Sequence, residues 1–337
     1  MLKNNCPKVS VIVVNFKSKK QLRKCLEHLI KTSYPNYDII VVDCLTPNIK
    51  RWMKRFFPKI KLIHYNHDIG ASASHNVSAI ANDSKYLAFI DNDSYVTKNW
   101  LTELVKIMET DKKIGAAQAK ILLTQNKRYM DHLGLAIDAL GTWYTPRGIN
   151  ADRFNSLIEI FAASSAGFIV QKEAFDRVQG FDADYFIYDD DTDFSFRLRL
   201  FGYRIVFVPS AVIFHDADPA RVFSPKKLFH AFKNRIYTML KNYQLRNIWW
   251  RLALYYLATF AVGVYFLIIN RKFEATALLR STFLPLKNLK SIWRKRAYVQ
   301  FYRQISDSEL IRRGFLRCDL RATLSDTMSK LNYVKKT

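Results

Sequence analysis

Short apolar runs alternate with amphipathic stretches along the first part of the chain. The runs 9–15, 37–43, 61–65 and 86–91 are rich in β-branched and apolar residues. Runs of this length predict buried strands, and the stretch 19–31 places its apolar residues on one helical face. Strands that alternate with helices at this spacing indicate βαβ units. We therefore expect an α/β fold.

The middle of the chain is less regular. The segment 122–155 is polar and contains Gly and Pro, so we expect it to be largely loop. The pattern predicts a strand pair within 158–170, a helix over 190–201, and two terminal strands at 204–208 and 211–214. Together with the earlier runs, these elements predict a mixed, mostly parallel sheet flanked by helices.

The composition changes near residue 217, where we place the boundary between an α/β domain, 1–217, and a helical tail, 218–337. The chain has a formal net charge of +24, and from residue 216 onward it holds 24 Lys and Arg but only 7 Asp and Glu. Residues 252–269 carry no charge and as a helix would be about 27 Å long, close to the hydrocarbon thickness of a bilayer. A basic tail with an apolar helix predicts contact with an anionic membrane surface.

The apolar helix has three possible settings. Arg246 and Arg251 precede it, and Arg271 and Lys272 follow it. A single crossing leaves one side of the membrane poor in basic residues, so basic flanks on both sides favour a helix that lies in the interface. A single transmembrane helix at 252–269 and a buried core helix are the alternatives.

The polar start of the chain and its cysteines bear on location. Residues 1–8 have no apolar run typical of a signal peptide, and the four cysteines form no CxxC pair. We therefore expect a reduced protein attached peripherally, or as a monotopic protein, to the cytoplasmic face of the cell membrane. The charge would also suit nucleic acid, but no helix-turn-helix, RRM or zinc module is recognisable, so we expect no nucleic-acid partner.

Acidic and amide side chains stand where the expected strands end. Asn15, Asp43 and Asp91 end the first, second and fourth runs, and Asp93 lies two residues after Asp91. Ligands of open α/β sheets bind beyond the carboxyl ends of the strands, so we expect these side chains at one crevice. Two carboxylates two residues apart suit one hard cation such as Mg²⁺ or Mn²⁺, although a capped turn uses the same residue types.

Three further features complete the candidate chemistry. Four carboxylates fall within residues 189–193, directly after an apolar approach, and one of them is a candidate general base. His215 ends the last strand, either as a third metal ligand or as a hydrogen-bonded structural residue. Gly70 and the small residues after it suit a backbone that approaches a ligand at a helix start, or a tight turn.

Taken together, these residues resemble glycosyltransferase family 2, the inverting nucleotide-sugar transferases with the GT-A fold. The resemblance covers about residues 8–217, and its motifs occur in the order of the family. They include the run 9–15, Val41-Val-Asp43, Asn66-x-x-x-Gly70 with Asn76, Phe89-Ile-Asp-Asn-Asp93, Ala166-Gly-Phe168, Gly180-Phe-Asp182, Phe186-Ile-Tyr188, Asp190-Asp-Thr-Asp193, Gly202-Tyr203 and Ile213-Phe-His215.

The resemblance implies a role for each matching residue. Asp91, Asp93 and His215 would hold Mg²⁺ or Mn²⁺ beside the donor diphosphate. Asp191 would be the catalytic base, with Asp190 next to it. The nucleotide-sugar donor would be bound by Val14, Asn15, Asp43, Gly70, Asn76 and Asn92.

The chain departs from the family pattern at two places. The family often has Asn, then Ser, after the second-strand Asp, where this chain has Cys44-Leu-Thr46, and Asp190 replaces the usual Glu. Gln244-Leu-Arg-Asn-Ile-Trp249 has the wrong spacing for the QxxRW motif of processive synthases. We expect a non-processive, rhamnosyltransferase-like enzyme that moves one sugar to a glycan or polyprenyl-diphosphate-linked acceptor. A nucleotidyltransferase, or a basic nucleic-acid or membrane-binding protein without catalysis, is the alternative.

Overall fold

The computed structural model describes residues 6–80, 83–131, 133–144, 149–216, 224–319 and 323. The strands are β1 (Val9–Phe16), β2 (Tyr37–Cys44), β3 (Lys61–Tyr65), β4 (Tyr86–Asp91), β5 (Ser94–Val96), β6 (Ile114–Leu123), β7 (Tyr129–Met130), β8 (Ala136–Ile137), β9 (Trp143–Tyr144), β10 (Ile149–Asn150), β11 (Ile158–Glu159), β12 (Phe168–Gln171) and β13 (Arg204–His215). The helices are α1 (Lys19–Leu29), α2 (Ile49–Phe56), α3 (Ala71–Ile80), α4 (Trp100–Met108), α5 (Lys172–Arg177), α6 (Asp190–Leu200), α7 (Pro225–Asn242), α8 (Leu245–Ile268), α9 (Lys272–Lys287), α10 (Leu289–Tyr302) and α11 (Asp307–Arg312).

Half of the large sheet is parallel, as the alternation of strands and helices predicts. Its strands lie in the order β3-β2-β1-β4, and α1, α2 and α3 lie between them in the chain. The register sets Asn15 opposite Asp43 and Val14 opposite Asp91. The polar strand ends therefore lie side by side at one edge of the sheet.

The other half of the sheet is mixed. β12 lies antiparallel between β4 and β6, and β13 runs parallel to β6. The sequence pattern predicts two terminal strands, 204–208 and 211–214, but β13 is one strand whose register with β6 shifts between Val208 and Val212. Pro209 has no N–H for the ladder, so the strand accommodates it as a bulge. β11 and β12, expected as a pair, join β13 and β4 instead.

The C-terminal helices share the hydrophobic core of the α/β domain. One hydrophobic cluster contains Phe194 of α6 together with Met239 of α7, Tyr255 of α8 and Val299 of α10. Both α7 and α10 pack directly against α6. The boundary expected near residue 217 therefore marks a change in composition, and the packing continues across it.

The apolar helix is longer than the sequence pattern indicates. α8 covers Leu245–Ile268, where the pattern predicts 252–269, because its first turns accommodate Arg246 and Arg251. Arg251 is buried and donates a hydrogen bond to the carbonyl oxygen of Ala139 at 3.1 Å. Among the described residues, α8 is the one helix long and apolar enough to cross a membrane, by length and composition only.

Candidate active site

Asn15, Asp43 and Asn92 form one hydrogen-bond network at the carboxyl ends of β1, β2 and β4. Asn15 Nδ2 donates to Asp43 Oδ1 at 2.5 Å and to Thr46 Oγ1 at 3.0 Å. Asn92 Nδ2 donates to Asn15 Oδ1 at 2.6 Å. His64 Nδ1 lies 2.8 Å from the second oxygen of Asp43. The network therefore joins side chains at the ends of three neighbouring strands.

Two members of this network are buried beneath the crevice rather than exposed to it. Asn15 and Asp43 have no exposed surface. Asn15 uses both its N–H and its carbonyl group within the network, so it orients Asp43 and Asn92. His64, which sequence reasoning missed, covers the Asp43 carboxylate and is itself partly exposed. Val14 is half-buried at the same strand end.

Asp91, Asp93 and His215 meet where β4 ends. The pairing of β5 with β13 sets His215 opposite Ser94, and His215 Nε2 lies 3.2 Å from Asp93 Oδ1. One ligand atom from each of the three residues lies within 4.8 Å of the other two. All three residues are partly exposed, so an ion from solvent can reach them.

Asp131 is a further member of this cluster that sequence reasoning missed. Its Oδ2 lies 2.6 Å from His215 Nδ1. Asp131 directly follows β7, in a segment expected to be loop, and no motif marks it. A carboxylate on the second nitrogen of a metal-binding His fixes the orientation of the ring and raises its basicity.

The charges of the cluster are strongly coupled. Burial, and then the charge of Asp93, raise the pKa of Asp91 to about 7. Burial lowers the pKa of His215, but its hydrogen bonds to Asp131 and Asp93 outweigh burial and raise the pKa to about 10. Crowded carboxylates retain protons because their like charges repel. A divalent cation relieves that repulsion, and carboxylate oxygens with an imidazole suit Mg²⁺ or Mn²⁺.

Asp190 and Asp191 begin α6, and Asp190 lies near the carboxylate of Asp91. Asp190 accepts a hydrogen bond from Ser72 Oγ at 3.0 Å, and its charge also acts on Asp91. Burial raises the pKa of Asp190 to about 6. Burial, and then the charges of Asp190 and Asp189, raise the pKa of Asp191 well above its ordinary value. A raised pKa makes a carboxylate a stronger proton acceptor, as a general base requires.

Two residues expected to bind the donor also make structural contacts. Asn76 Nδ2 donates to the carbonyl oxygen of Phe181 at 2.7 Å, and Asn76 Oδ1 accepts from Phe181 N at 2.9 Å. Its amide therefore joins α3 to the loop before α6. Gly70 has a φ of +79°, and a Cβ there would lie 2.5 Å from the carbonyl oxygen of Phe186. The close approach of Phe186 accounts for this glycine without a ligand.

A mixed α/β sheet with an acidic crevice at its strand ends is the architecture of the GT-A glycosyltransferases. The mannosyltransferase PcManGT from Pyrobaculum calidifontis, solved with GDP-Man and Mn²⁺, has this fold with a TM-score of 0.53 at 16% identity, over 89% of this chain and 86% of that one. The family model described as "Glycosyltransferase like family 2" matches residues 7–237, and the chain belongs to this family. The match extends past residue 217 into α7.

Two curated relatives are similar to parts of the chain. The O-antigen biosynthesis protein RfbC of Myxococcus xanthus is 25% identical over 232 residues, which are 64% of this chain and 18% of RfbC. The N-acetylglucosaminyl-diphospho-decaprenol L-rhamnosyltransferase of Mycobacterium tuberculosis is 33% identical over 91 residues, 27% of this chain and 29% of that protein. The matches therefore span less than a third of either relative.

Proposed function

We propose that this protein is an inverting, non-processive glycosyltransferase that moves one sugar from a nucleotide-diphospho-sugar to an acceptor hydroxyl. One observation supports the proposal: hydrogen bonds through Asn15 and Asn92 connect Asp43 to the strand end that carries the Asp91, Asp93 and His215 cluster. The charge of Asp190, at the start of α6, acts on Asp91 of that cluster. Membership of the family supports the same reaction.

The donor lies along this crevice with its nucleoside near the end of β2, where His64 covers Asp43. Asp91, Asp93 and His215 would hold Mg²⁺ or Mn²⁺. The bound ion supplies positive charge that stabilises the departing nucleoside diphosphate. The sugar then lies between these residues and the start of α6.

Asp191 acts as the base. It accepts the proton of the acceptor hydroxyl, and the oxygen attacks the anomeric carbon from the face opposite the diphosphate. The bond from that carbon to the diphosphate oxygen breaks in the same step, so the configuration inverts. Asp190, held by Ser72, supplies the neighbouring negative charge that helps to raise the pKa of Asp191. That charge favours proton transfer to Asp191.

The test measures release of nucleoside diphosphate from UDP-, GDP- and dTDP-sugars, with and without Mn²⁺, in the presence of polyprenyl-diphosphate N-acetylglucosamine. Asp191→Asn should bind the donor and lose about 10²- to 10⁴-fold in turnover, the usual contribution of a general base. Asp176→Asn is the matched control, because Asp176 is an acid on α5 with a 56% exposed side chain. Near-normal turnover by Asp191→Asn refutes the base, and failure of the wild type with every donor refutes the activity.

The acceptor is proposed to be a polyprenyl-diphosphate-linked glycan, met at the cytoplasmic face of the cell membrane. The mycobacterial relative is named for a diphospho-decaprenol substrate. A lipid-linked acceptor requires an enzyme that works at a membrane surface. The surface of the C-terminal helices supports this requirement.

Large apolar side chains of α8 and α9 are exposed. On α8, Trp249 is 71% exposed and Leu257 and Phe260 are nearly as open, while Phe273 and Phe283 of α9 are 82% and 62% exposed. Exposed apolar surface of this kind marks an interaction site. The exposed basic residues on α8, α9 and α10 suit anionic lipid headgroups, and they are Arg246, Lys272, Arg280, Lys287, Lys290 and Arg294.

The packing of α8 favours a helix in the plane of the membrane. Arg251, Tyr255, Thr259 and Phe266 are buried along its length. Tyr255 also donates a hydrogen bond to the carbonyl oxygen of Phe232 in α7 at 3.1 Å. A helix with one side buried in protein and an apolar opposite side lies in an interface, whereas a lone crossing helix is apolar all round.

Liposome flotation tests this surface. The wild type should float with phosphatidylglycerol vesicles at low salt, and Leu257→Glu combined with Phe260→Glu should remain at the bottom of the gradient. Ile30→Glu is the matched control, because Ile30 is 52% exposed and follows α1 in the catalytic domain. Wild-type protein that stays free of anionic vesicles contradicts the proposal.

A further inference from the structure

The segment that leads into α6 has an unusual backbone. Phe186, Tyr188 and Asp189 have φ values of 68°, 66° and 56°, although none of them is glycine. A non-glycine residue in such a conformation is strained, so the conformation persists only where the surroundings enforce it. The next two residues are Asp190 and Asp191. The contacts that hold this backbone in place therefore also orient the side chains of Asp190 and Asp191.

Asn234 of α7 contacts this segment at three points. Its Nδ2 lies 3.0 Å from the carbonyl oxygen of Tyr185, 2.9 Å from that of Ile187 and 2.7 Å from that of Tyr188. Asn234 has no exposed surface, so water does not compete for these bonds. An amide nitrogen has two N–H groups, and one of them is therefore shared between two of the carbonyls.

Other side chains of α7 contact the same segment. His230 stacks on Phe186 with ring centroids 5.2 Å apart. Lys233 Nζ donates to the carbonyl oxygen of Asp184 at 2.6 Å, and Arg235 Nε lies 3.4 Å from Asp189 Oδ2. These contacts reach the edges of the segment. Asn234 alone among these residues of α7 bonds the main chain at Ile187 and Tyr188, between the strained positions.

We propose that Asn234 is a positioning residue for catalysis. Its hydrogen bonds hold residues 185–189 in the conformation that points Asp191 into the crevice. The proposal rests on the assignment of Asp191 as the base. It gives α7 a part in turnover that is separate from any contact with a membrane.

Asn234→Ala tests the proposal, with Asn242→Ala as the matched control. Asn242 is also fully buried on α7, two turns further on, and donates one hydrogen bond to Asp193 at 2.9 Å. Both variants should lose thermal stability to a similar extent. Asn234→Ala should lose about 100-fold or more in kcat, since a misplacement of about 1 Å has that effect. Asn242→Ala should keep kcat within a few-fold.

Two further readouts separate positioning from general damage. Mn²⁺-dependent binding of UDP and GDP should be unchanged in Asn234→Ala, because the ligand cluster lies on other elements. Hydrogen exchange should speed up in peptides that cover 185–191 in this variant and not in Asn242→Ala. Asn234→Ser keeps one donor, so it should have intermediate turnover, and it replaces the alanine variant if the latter does not fold.

Two outcomes overturn the proposal: wild-type kcat in Asn234→Ala, or an equal loss of kcat in Asn242→Ala. A failure of the base assignment is distinguishable, because it appears as normal turnover by Asp191→Asn whatever Asn234 does.

Discussion

Replacement of Lys241 by Met tests how firmly α7 belongs to the catalytic domain. Lys241 Nζ lies 2.6 Å from Asp182 Oδ2 and 2.9 Å from Asp193 Oδ1, and all three side chains are buried. Lys295 also pairs with Asp182, and Arg197 with Asp193. The variant therefore removes one cation that two buried carboxylates share.

The size of the effect follows from what each carboxylate retains. Removal of one partner of a buried ion pair costs about 3–5 kcal/mol, because it leaves an uncompensated charge. In Lys241→Met each aspartate keeps one cation. We therefore expect the free energy of unfolding to fall by about 3 kcal/mol, near the lower end of this range. The matched control is Lys295→Met, which also loses a partner of Asp182 but has a 27% exposed side chain. Lys295→Met should lower the free energy of unfolding by about 1 kcal/mol or less, as is usual for more exposed ion pairs.

The same interaction has a defined pH dependence. Burial raises the pKa of Asp182, but the charges of Lys241 and Lys295 outweigh burial and hold this pKa well below its ordinary value of 3.8. The stabilisation is therefore present above about pH 4 and is lost as the pH falls towards the lowered pKa. The stability difference between wild type and Lys241→Met should accordingly shrink in acid.

The assay is urea unfolding followed by tryptophan fluorescence and circular dichroism in a mild detergent. A shared core predicts one cooperative transition for the wild type. Separate transitions for the catalytic domain and the C-terminal helices would refute the shared core. If Lys241→Met lowers the free energy of unfolding no more than Lys295→Met does, the buried position of Lys241 does not strengthen its ion pairs, and the prediction is refuted.

Three further predictions concern the crevice. Gly70→Ala should lower the free energy of unfolding by about 1–3 kcal/mol in urea titrations, because of its positive φ and close contact, whereas Gly263→Ala in α8, with nothing within 4 Å, should not destabilise. Asp131→Asn should weaken Mn²⁺ activation by about tenfold or more, because His215 loses its charged partner; unchanged activation would contradict that role. Asp191→Asn should be more stable than the wild type at neutral pH and equal to it below about pH 4, because the raised pKa of Asp191 makes its charged form destabilising; a melting-temperature gap that does not change with pH would contradict this.

The parallel half of the fold could be predicted because most residues of β1, β2 and β4 are buried on both faces, which gives short apolar runs such as 11–14. The two-residue strands of the middle region have no usable period, so 122–155 resembles loop. β13 reads as two strands because Pro209 interrupts it. The integration of α7 could not be predicted, since Asn234 and Lys241 look like residues of an exposed polar face, and their partners lie more than 40 positions away.

The candidate site could be predicted where its residues follow one strand or a family motif. The two carboxylates after β4 and His215 are of this kind. Asp131 and His64 reach the site only through sheet pairing and loop packing, which the sequence does not display. The hydrogen bonds of Asn76 to the main chain of Phe181 could not be predicted, because a motif does not tell which side of a helix a residue occupies.

Titration of Mn²⁺ by electron paramagnetic resonance, with UDP or GDP present, tests the central claim most directly. The crevice predicts one Mn²⁺ per chain, with an affinity that falls more than about tenfold in Asp93→Asn and is unchanged in Asp176→Asn. Binding of Mn²⁺ that is as tight in Asp93→Asn as in the wild type would contradict the account.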